Sequence, residues 1–429
     1  MILFKKIKIE LWVLCLAGVL LFIGMIGFGS LVRHEILAQN SDGVSRFPIL
    51  SSTALFIAEI PANTKKISKG EMKESSPLRA VEQRFLGISG FQGEPLKDET
   101  YLLLSKYDGD SERAVVELVD LRSFEVKKTW RPDITQINDL VDTSFPEFQT
   151  LEKEYNAKRY LITHPFLTED GGLIFQGSCT PLVKIDKNSQ LVWQNQEDCF
   201  HHSIEQDHEG NFWIPSNVHP YQIDKRYVGT EYGYLDDAIT KVSADGEILF
   251  QKSVSNILIE NNLKFLLSPF TDNDFFRDPI HLNDIQPVLT DGPHWKRGDL
   301  FLSLRTPSMI ILYRPSTNKI IWKGTWYISL QHDVNIVDDH RISIFNNNEM
   351  PDFDGKKVGD KKVDGNNEVV IYDFKTDSYS KYLDESLEQY DVRTFSQGRS
   401  HILDNDDLFI EDQNHGRILY FNNDASLQW

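Results

Sequence analysis

Four short segments carry side chains suited to a negatively charged ester: His201-His202, His281-Leu282-Asn283, Arg305 and Gln331-His332-Asp333. Each lies beside a strand-like run. A neutral imidazole such as that of His332 is a competent nucleophile toward sulfuryl or phosphoryl centres, and a neighbouring carboxylate can fix its tautomer. In an extended segment His281 and Asn283 point to the same side, where they offer one charge-assisted and one neutral hydrogen bond to a tetrahedral anion. Arg305 ends the run Phe301 to Leu304, and its guanidinium can clamp two oxygens of that anion. Of the pair His201-His202, one member must face away in a strand, and His202 is taken as the functional one. Taken alone, His332 fits a turn and Arg305 a surface ion pair; the ordered set is what points to a site. No H-x-x-x-H or H-E-x-x-H spacing is present, so these histidines are not expected to hold a metal. A G-x-S-x-G elbow for serine hydrolysis is also missing.

Residues so far apart in sequence meet only if repeated elements bring them round to one point. A repeat is visible. Glu169 to Phe175 leads to Leu182–Asp186 and Gln190–Trp193; His208 to Ile214 leads to Ile239–Val242 and Ile248–Phe250; Gly298 to Leu304 leads to Met309–Tyr313 and Lys319–Trp322. Later copies pair Arg341–Phe345 with Glu368–Asp373, and Asp407–Ile410 with Arg417–Phe421. Each unit reads as strands separated by Asp/Asn/Gly turns. One unit cannot bury both faces, so the units must stack. The long spacing, with no helical pattern between copies, predicts an all-β fold, a β-propeller of five or six blades with six preferred, over residues 95–429. Two excursions interrupt it: Ile257 to Leu267, read as an amphipathic helix that forms either a lid or a plain surface excursion, and Met350 to Asn367, read as a flexible loop.

The N-terminus has a different character. Lys5, Lys6 and Lys8 precede an uncharged run, residues 11–32, long enough for a hydrocarbon core of roughly 30 Å. This predicts a signal anchor with residues 1–10 cytoplasmic and the body outside, a bacterial periplasm being the simplest setting. A cleaved signal peptide is the competing reading. Residues 33–94 read as a juxtamembrane linker with a short helix near Leu78 to Phe85. Outside the span, Cys179 and Cys199 either pair in an oxidising compartment, fixing the loop that carries His201-His202, or are two unrelated buried thiols. The net charge of −19 argues against nucleic-acid binding.

The run Gln331-His332-Asp333 with Arg341 to Asn346, preceded by His281-Leu282-Asn283, Ser303-Leu304-Arg305 and Ile320-Ile321-Trp322, resembles the arylsulfotransferase family over roughly residues 160–429. That resemblance implies an exported six-bladed propeller that moves a sulfuryl group between phenols without a nucleotide donor. It implies His332 as the transiently sulfated histidine, His281, Asn283 and Arg305 as sulfuryl-binding groups, and His202 as the histidine assisting the phenolic oxygen. It implies an aryl sulfate and a phenol as small-molecule partners and no cofactor; a homo-oligomer stays open. The chain departs from the pattern at Ser203, where an acid is expected, and in having a linker and anchor where larger members have an N-terminal β domain. A propeller with this site but without activity would instead bind a protein or an anionic glycan at the membrane.

Overall fold

The computed structural model describes residues 10–40, 48–68, 85, 89–143, 145, 148, 151, 155–224, 234–267, 277–325, 327–352 and 361–429. The chain divides into two compact units. One holds the N-terminal helices, and the other runs from Pro77 through the β-rich remainder, apart from residues 228–234.

In the first unit, Leu11–Asn40 is a helix of 30 residues, α1. It continues past Val32, where the sequence reading ended it. Its segment Leu11–Glu35, 25 residues, is long and apolar enough to cross a membrane, covering about 37 Å at 1.5 Å per residue against a core of roughly 30 Å. Leu11, Trp12, Leu20, Phe22 and Ile26 are all exposed, so the apolar surface runs around the helix as lipid contact or a signal sequence requires. A second helix, α2, occupies Pro48–Ser68 within the segment read as linker. Proline at its first position loses no intrahelical bond and has the helical φ in advance. Ser51 Oγ donates to Glu35 Oε2 at 2.5 Å, tying α2 to the end of α1. The helix expected near Leu78 to Phe85 lies outside the described residues except for Phe85.

The second unit is mostly β-sheet. A three-stranded sheet (Tyr101–Asp108, Arg113–Asp120, Glu125–Trp130) comes first. Next is an eight-stranded sheet from Thr163–Leu167 to Ile248–Ser253. Two four-stranded antiparallel sheets begin at Leu282–Pro287 and His332–Ile336, and a three-stranded one begins at Arg399–Ile402. The eight-stranded sheet contains two repeats joined where Cys199 and Phe200 pair with Asn217 and Ser216. The Asp/Ser turns of the repeat close in one way. Asp186 Oδ1 accepts from the amides of Asn188 and Gln190, Asp207 Oδ1 from those of Glu209 and Asn211, and Ser243 Oγ from those of Asp245 and Glu247.

The core clusters follow one another. Val116 packs with Phe175 and Val183, Ile174 and Leu182 with Ile214 and Val242, and Ile239 with Leu282 and Leu302. Phe301 and Leu312 pack with Val334 and Ile344, and Phe345 and Val369 with Leu408 and Ile410. Finally Tyr420 and Trp429 pack with Val119 and Leu121, returning to the first sheet. Carboxylates tie three of the repeats to the first strand of the next. Asp237 Oδ2 accepts from the Leu282 amide, Asp284 Oδ2 from that of Val334, and Asp333 Oδ2 from that of Ser400.

Both excursions carry regular structure among the described residues. A short helix, α3, covers Ile134–Asp139. The next, α4, spans Val254–Glu260 and buries Val254, Ile257 and Leu258 in the core, followed by a 3-10 turn at Lys264–Leu267. The apolar residues there make α4 part of the packing, because its buried side meets Leu282, Leu300 and Ile311. Within 350–367, Glu349–Pro351 pairs with Lys361–Val363 as a small hairpin.

Candidate functional site

The inner ends of the repeats bring together histidines that lie 130 positions apart. The His202 ring centroid lies 5.3 Å from that of His281 and 6.3 Å from that of His332, and the His201 ring lies 5.0 Å from that of His202. The backbone explains the convergence. His202 and His281 have φ of +60° and +51°, and the ladders shift register between Leu282 and Asp284 and between His332 and Val334. Such bulges re-aim a side chain at a strand end, with a modest conformational cost at each left-handed residue. Arg305 is held beside His281, whose carbonyl accepts from the Arg305 amide at 3.1 Å.

His332 is buried, and its surroundings define its state. Its Nδ1 lies 2.7 Å from Asn347 Oδ1. The Asn347 amide cannot be reversed, because its Nδ2 already donates to the carbonyls of Gln397 at 2.8 Å and Thr394 at 3.2 Å. An oxygen facing Nδ1 requires a proton on Nδ1, which leaves the lone pair on Nε2. The Gln397 amide donates to that Nε2 at 3.3 Å, consistent with the same tautomer. Burial depresses the His332 pKa to about 3; the Asn347 bond opposes this, and the nearby charges of Arg305 and His281 add to it. The imidazole is therefore neutral near pH 7. Gly398 makes this approach feasible. It has φ of +92°, and a Cβ there would lie 2.5 Å from the Phe345 ring.

His281 Nδ1 pairs with Asp278 Oδ2 at 2.5 Å. Arg305 Nη2 pairs with Glu349 Oε1 at 2.9 Å. Asn283 Nδ2 donates to the Gln331 carbonyl at 2.7 Å, and its Oδ1 is buried without a partner among the described residues. Gln331 is wholly buried, with Nε2 donating to Ser303 Oγ and to the Leu304 and Met309 carbonyls. It is a strut between repeats. Cys179 and Cys199 are joined by a disulfide, two residues before His201.

Asp333 is placed differently from the sequence reading, which set it beside His332 as a tautomer-fixing and substrate-binding group. It follows the bulge with φ of +54°, and its Oδ1 accepts from Arg399 Nε at 3.1 Å while Oδ2 accepts from Asn335 and Ser400. The group against His332 is Asn347. Ser203, standing where an acid was expected, accepts from the Ile285 amide through its Oγ.

Several neighbours escaped the sequence reading. His164, φ +44°, has a buried Nδ1 with no partner among the described residues; burial, then the Arg399 charge and His332, hold its pKa well below the usual value. Its place before Phe166-Leu167, mirroring His281 before a strand, was the available signal. Arg399 is ringed by Asp333, Glu205, Asp284 and Glu411. Burial, with Asp284 and Asp333 adding to it and Arg399 opposing it, raises Glu205 to about 8; burial and then Asp333 raise Asp284 to about 6. No spacing rule announces this cluster. Among the described residues, the metal-compatible group Asp338, Asp339 and His340 includes none of these side chains.

The arrangement offers a neutral imidazole with a directed lone pair, a guanidinium, an amide and two further imidazoles. Together they can bind a tetrahedral anion and move a proton at its ester oxygen. The arylsulfotransferase (ASST) family profile matches residues 164–429. No protein of curated function matches the chain. Among solved structures, it is similar to a protein of unknown function from Bacteroides caccae, at 11% identity and a TM-score of 0.44, over 73% of this chain and 88% of the other. A streptogramin B lyase is similar at 11% identity and 0.37, over 79% and 85%. The hydrazine synthase of Kuenenia stuttgartiensis is similar at 12% identity and 0.39, over 72% and 71%.

Proposed function

The chain belongs to the arylsulfotransferase family, and from that premise we propose that it moves a sulfuryl group from an aryl sulfate ester to a phenol through a sulfohistidine at His332. The observation that carries the reading is the locked His332 tautomer: a buried, neutral ring whose Nδ1 is held by Asn347 and whose Nε2 keeps its lone pair. Nε2 attacks sulfur, the sulfur–oxygen ester bond breaks, and the donor leaves as a phenolate. Arg305, His281 and the Asn283 amide face the sulfuryl oxygens, and His202 serves the phenolic oxygen. The acceptor phenol then takes the group from Nε2 in the second half-reaction. Asp333 acts through Arg399 and the Ser400 amide as a scaffold for the loop bearing Gln397.

The fold we propose for this domain is a six-bladed β-propeller. Its support is the cyclic order of the core clusters, with Trp429 packed against Leu121, and the carboxylate clasps from one repeat to the first strand of the next. For the whole chain we propose a single-pass anchor, residues 11–32, with residues 1–10 cytoplasmic and the propeller outside the inner membrane of a bacterium. The lysines before the span support that orientation, and the Cys179–Cys199 disulfide supports an oxidising compartment.

The test uses the full chain in detergent, a chromogenic aryl sulfate and a phenol acceptor. Turnover abolished in His332→Ala is expected. Turnover surviving in that variant would remove the nucleophile assignment. No turnover in the wild type with a panel of aryl sulfates, together with retention of a protein or anionic glycan, would make the site a binding site.

A further inference from the structure

Sulfuryl exchange between phenols creates a proton problem. In the first half-reaction the departing phenolate needs a proton, and in the second the attacking phenol must lose one. The two events are separated in time by the sulfated intermediate. No net proton crosses the cycle, so the site must give up a proton in the first half, take one back in the second, and hold it between turnovers. His332 cannot hold it, since its Nε2 must stay unprotonated to attack sulfur.

Behind His202 lies a second ring that the proposed chemistry leaves idle. His201 Nδ1 is 2.8 Å from His202 Nδ1. His201 is buried, its Nε2 has no hydrogen-bond partner among the described residues, and that atom lies 3.4 Å from Asp237 Oδ1. Asp237 is itself fixed, accepting from Asn217 Nδ2 through Oδ1 and from the Leu282 amide through Oδ2. Two nitrogens at 2.8 Å share one proton, so the pair has two arrangements. When the shared proton is on His202, the His202 Nε2 carries a lone pair and can accept. With it on His201, His202 is an Nε2–H donor, and His201, also protonated at Nε2, is an imidazolium facing a carboxylate.

We propose that His201 and Asp237 form a proton store for His202, so that the two histidines work as one acid–base unit. The proposal rests on the sulfotransferase reading above. The step balances. In the second half-reaction the acceptor oxygen bonds to sulfur as the sulfur–Nε2 bond to His332 breaks. The phenolic proton goes to His202 Nε2, while the Nδ1 proton of His202 passes to His201 Nδ1. In the first half-reaction the donor's ester bond breaks, the phenolate takes the proton from His202 Nε2, and His202 Nδ1 recovers one from His201. The charge rests on His201 against Asp237 between turnovers, one residue from the reacting oxygen. Burial first, then the neighbouring rings of His201, His281, His332 and His164, disfavour a positive charge on His202. Asp237 faces His201, and Asp278, paired with His281, adds a further negative charge near it. The carboxylate of Asp237 thus stands against His201, while His202 is surrounded by other imidazoles, which biases the charge toward the store. This also accounts for a histidine pair in which one ring points away from substrate.

His201 is a positioning and relay residue, so its test must separate relay from support. The full chain is compared with His201→Asn in single-turnover reactions with two donors, 4-nitrophenyl sulfate, whose phenolate leaves well without a proton, and phenyl sulfate, whose phenolate does not. The expected result is a small loss with the first donor and a loss of about 10²-fold or more with the second, the range for a missing general acid. Equal losses with both donors, at an unchanged melting temperature, would overturn the relay. Absence of sulfuryl transfer in the wild type would instead sink the underlying reading, so the two failures are distinguishable.

Discussion

Asn347 is the position at which the proposed chemistry is most exposed to a single side chain. Replacing it with leucine removes the acceptor for His332 Nδ1 and the donor for the Gln397 and Thr394 carbonyls. Three neutral bonds at about 0.5–1.5 kcal/mol each give a stability loss of about 2–4 kcal/mol, which a domain holding roughly 5–15 kcal/mol survives. The kinetic loss has a separate origin. As Nε2 bonds to sulfur the ring becomes cationic, and the bond from Nδ1–H to the Asn347 oxygen becomes charge-assisted, worth about 1.5–3 kcal/mol. At 1.36 kcal/mol per tenfold, sulfation of His332 should slow by about tenfold to a hundredfold. Asn347→Asp is the informative companion. It keeps the acceptor and adds a negative charge, so it preserves the tautomer and raises the His332 pKa from about 3. Only the neutral ring attacks, so the acid limb of the rate profile should move to higher pH. Rapid-quench measurement of the sulfated enzyme across pH, normalised by melting temperature, reads both. A leucine variant as fast as wild type, with no shift of the acid limb in the aspartate variant, would refute the assignment of Asn347 and the tautomer argument with it.

Two other expectations concern stability. Glu205 has a folded pKa raised to about 8, so the folded state holds a proton the unfolded chain has lost, and stability from this group is lost as pH rises from about 4.5 to 8. Glu205→Gln should flatten that slope, by at most about 5 kcal/mol across the window, as followed by denaturant melts at several pH values; parallel curves for the two proteins would contradict the buried-carboxylate account. The Cys179–Cys199 bridge closes a separation of 20 residues, worth about 3 kcal/mol in chain entropy. The double serine variant should lose about that much and also slow transfer, since Cys199 leads directly into His201; unchanged melting would mean the bridge adds nothing.

Much of this was legible from residue types. Period-two apolar runs between Asp/Asn/Gly turns announced the sheets because those turns close through side chains such as Asp186 and Asp207. His202, His281, Arg305 and His332 could be named because each stands at a strand end. The site's inner logic was not legible. Asn347 reaches His332 across a strand pairing, and its orientation depends on carbonyls of Gln397 and Thr394, some fifty residues on. Asp333 is adjacent to His332 in sequence yet diverted by a bulge and a left-handed φ, neither of which a residue pattern reports. The Asn346-Asn347-Asn348 run was a hint, since amides cluster where loops need caps. Similarly α4 overlaps a segment read as a lid or a plain surface excursion; only the tertiary packing shows that Val254, Ile257 and Leu258 are buried in the core.

The most direct measurement is the mass of the full chain quenched during turnover with an aryl sulfate and no acceptor, followed by peptide mapping under conditions that preserve a nitrogen–sulfur bond. The account predicts one added sulfuryl group on the peptide containing His332, lost when a phenol is added and absent in His332→Ala. A sulfuryl group on another residue, or transfer from donor to phenol with no enzyme-bound group at any time, would contradict it.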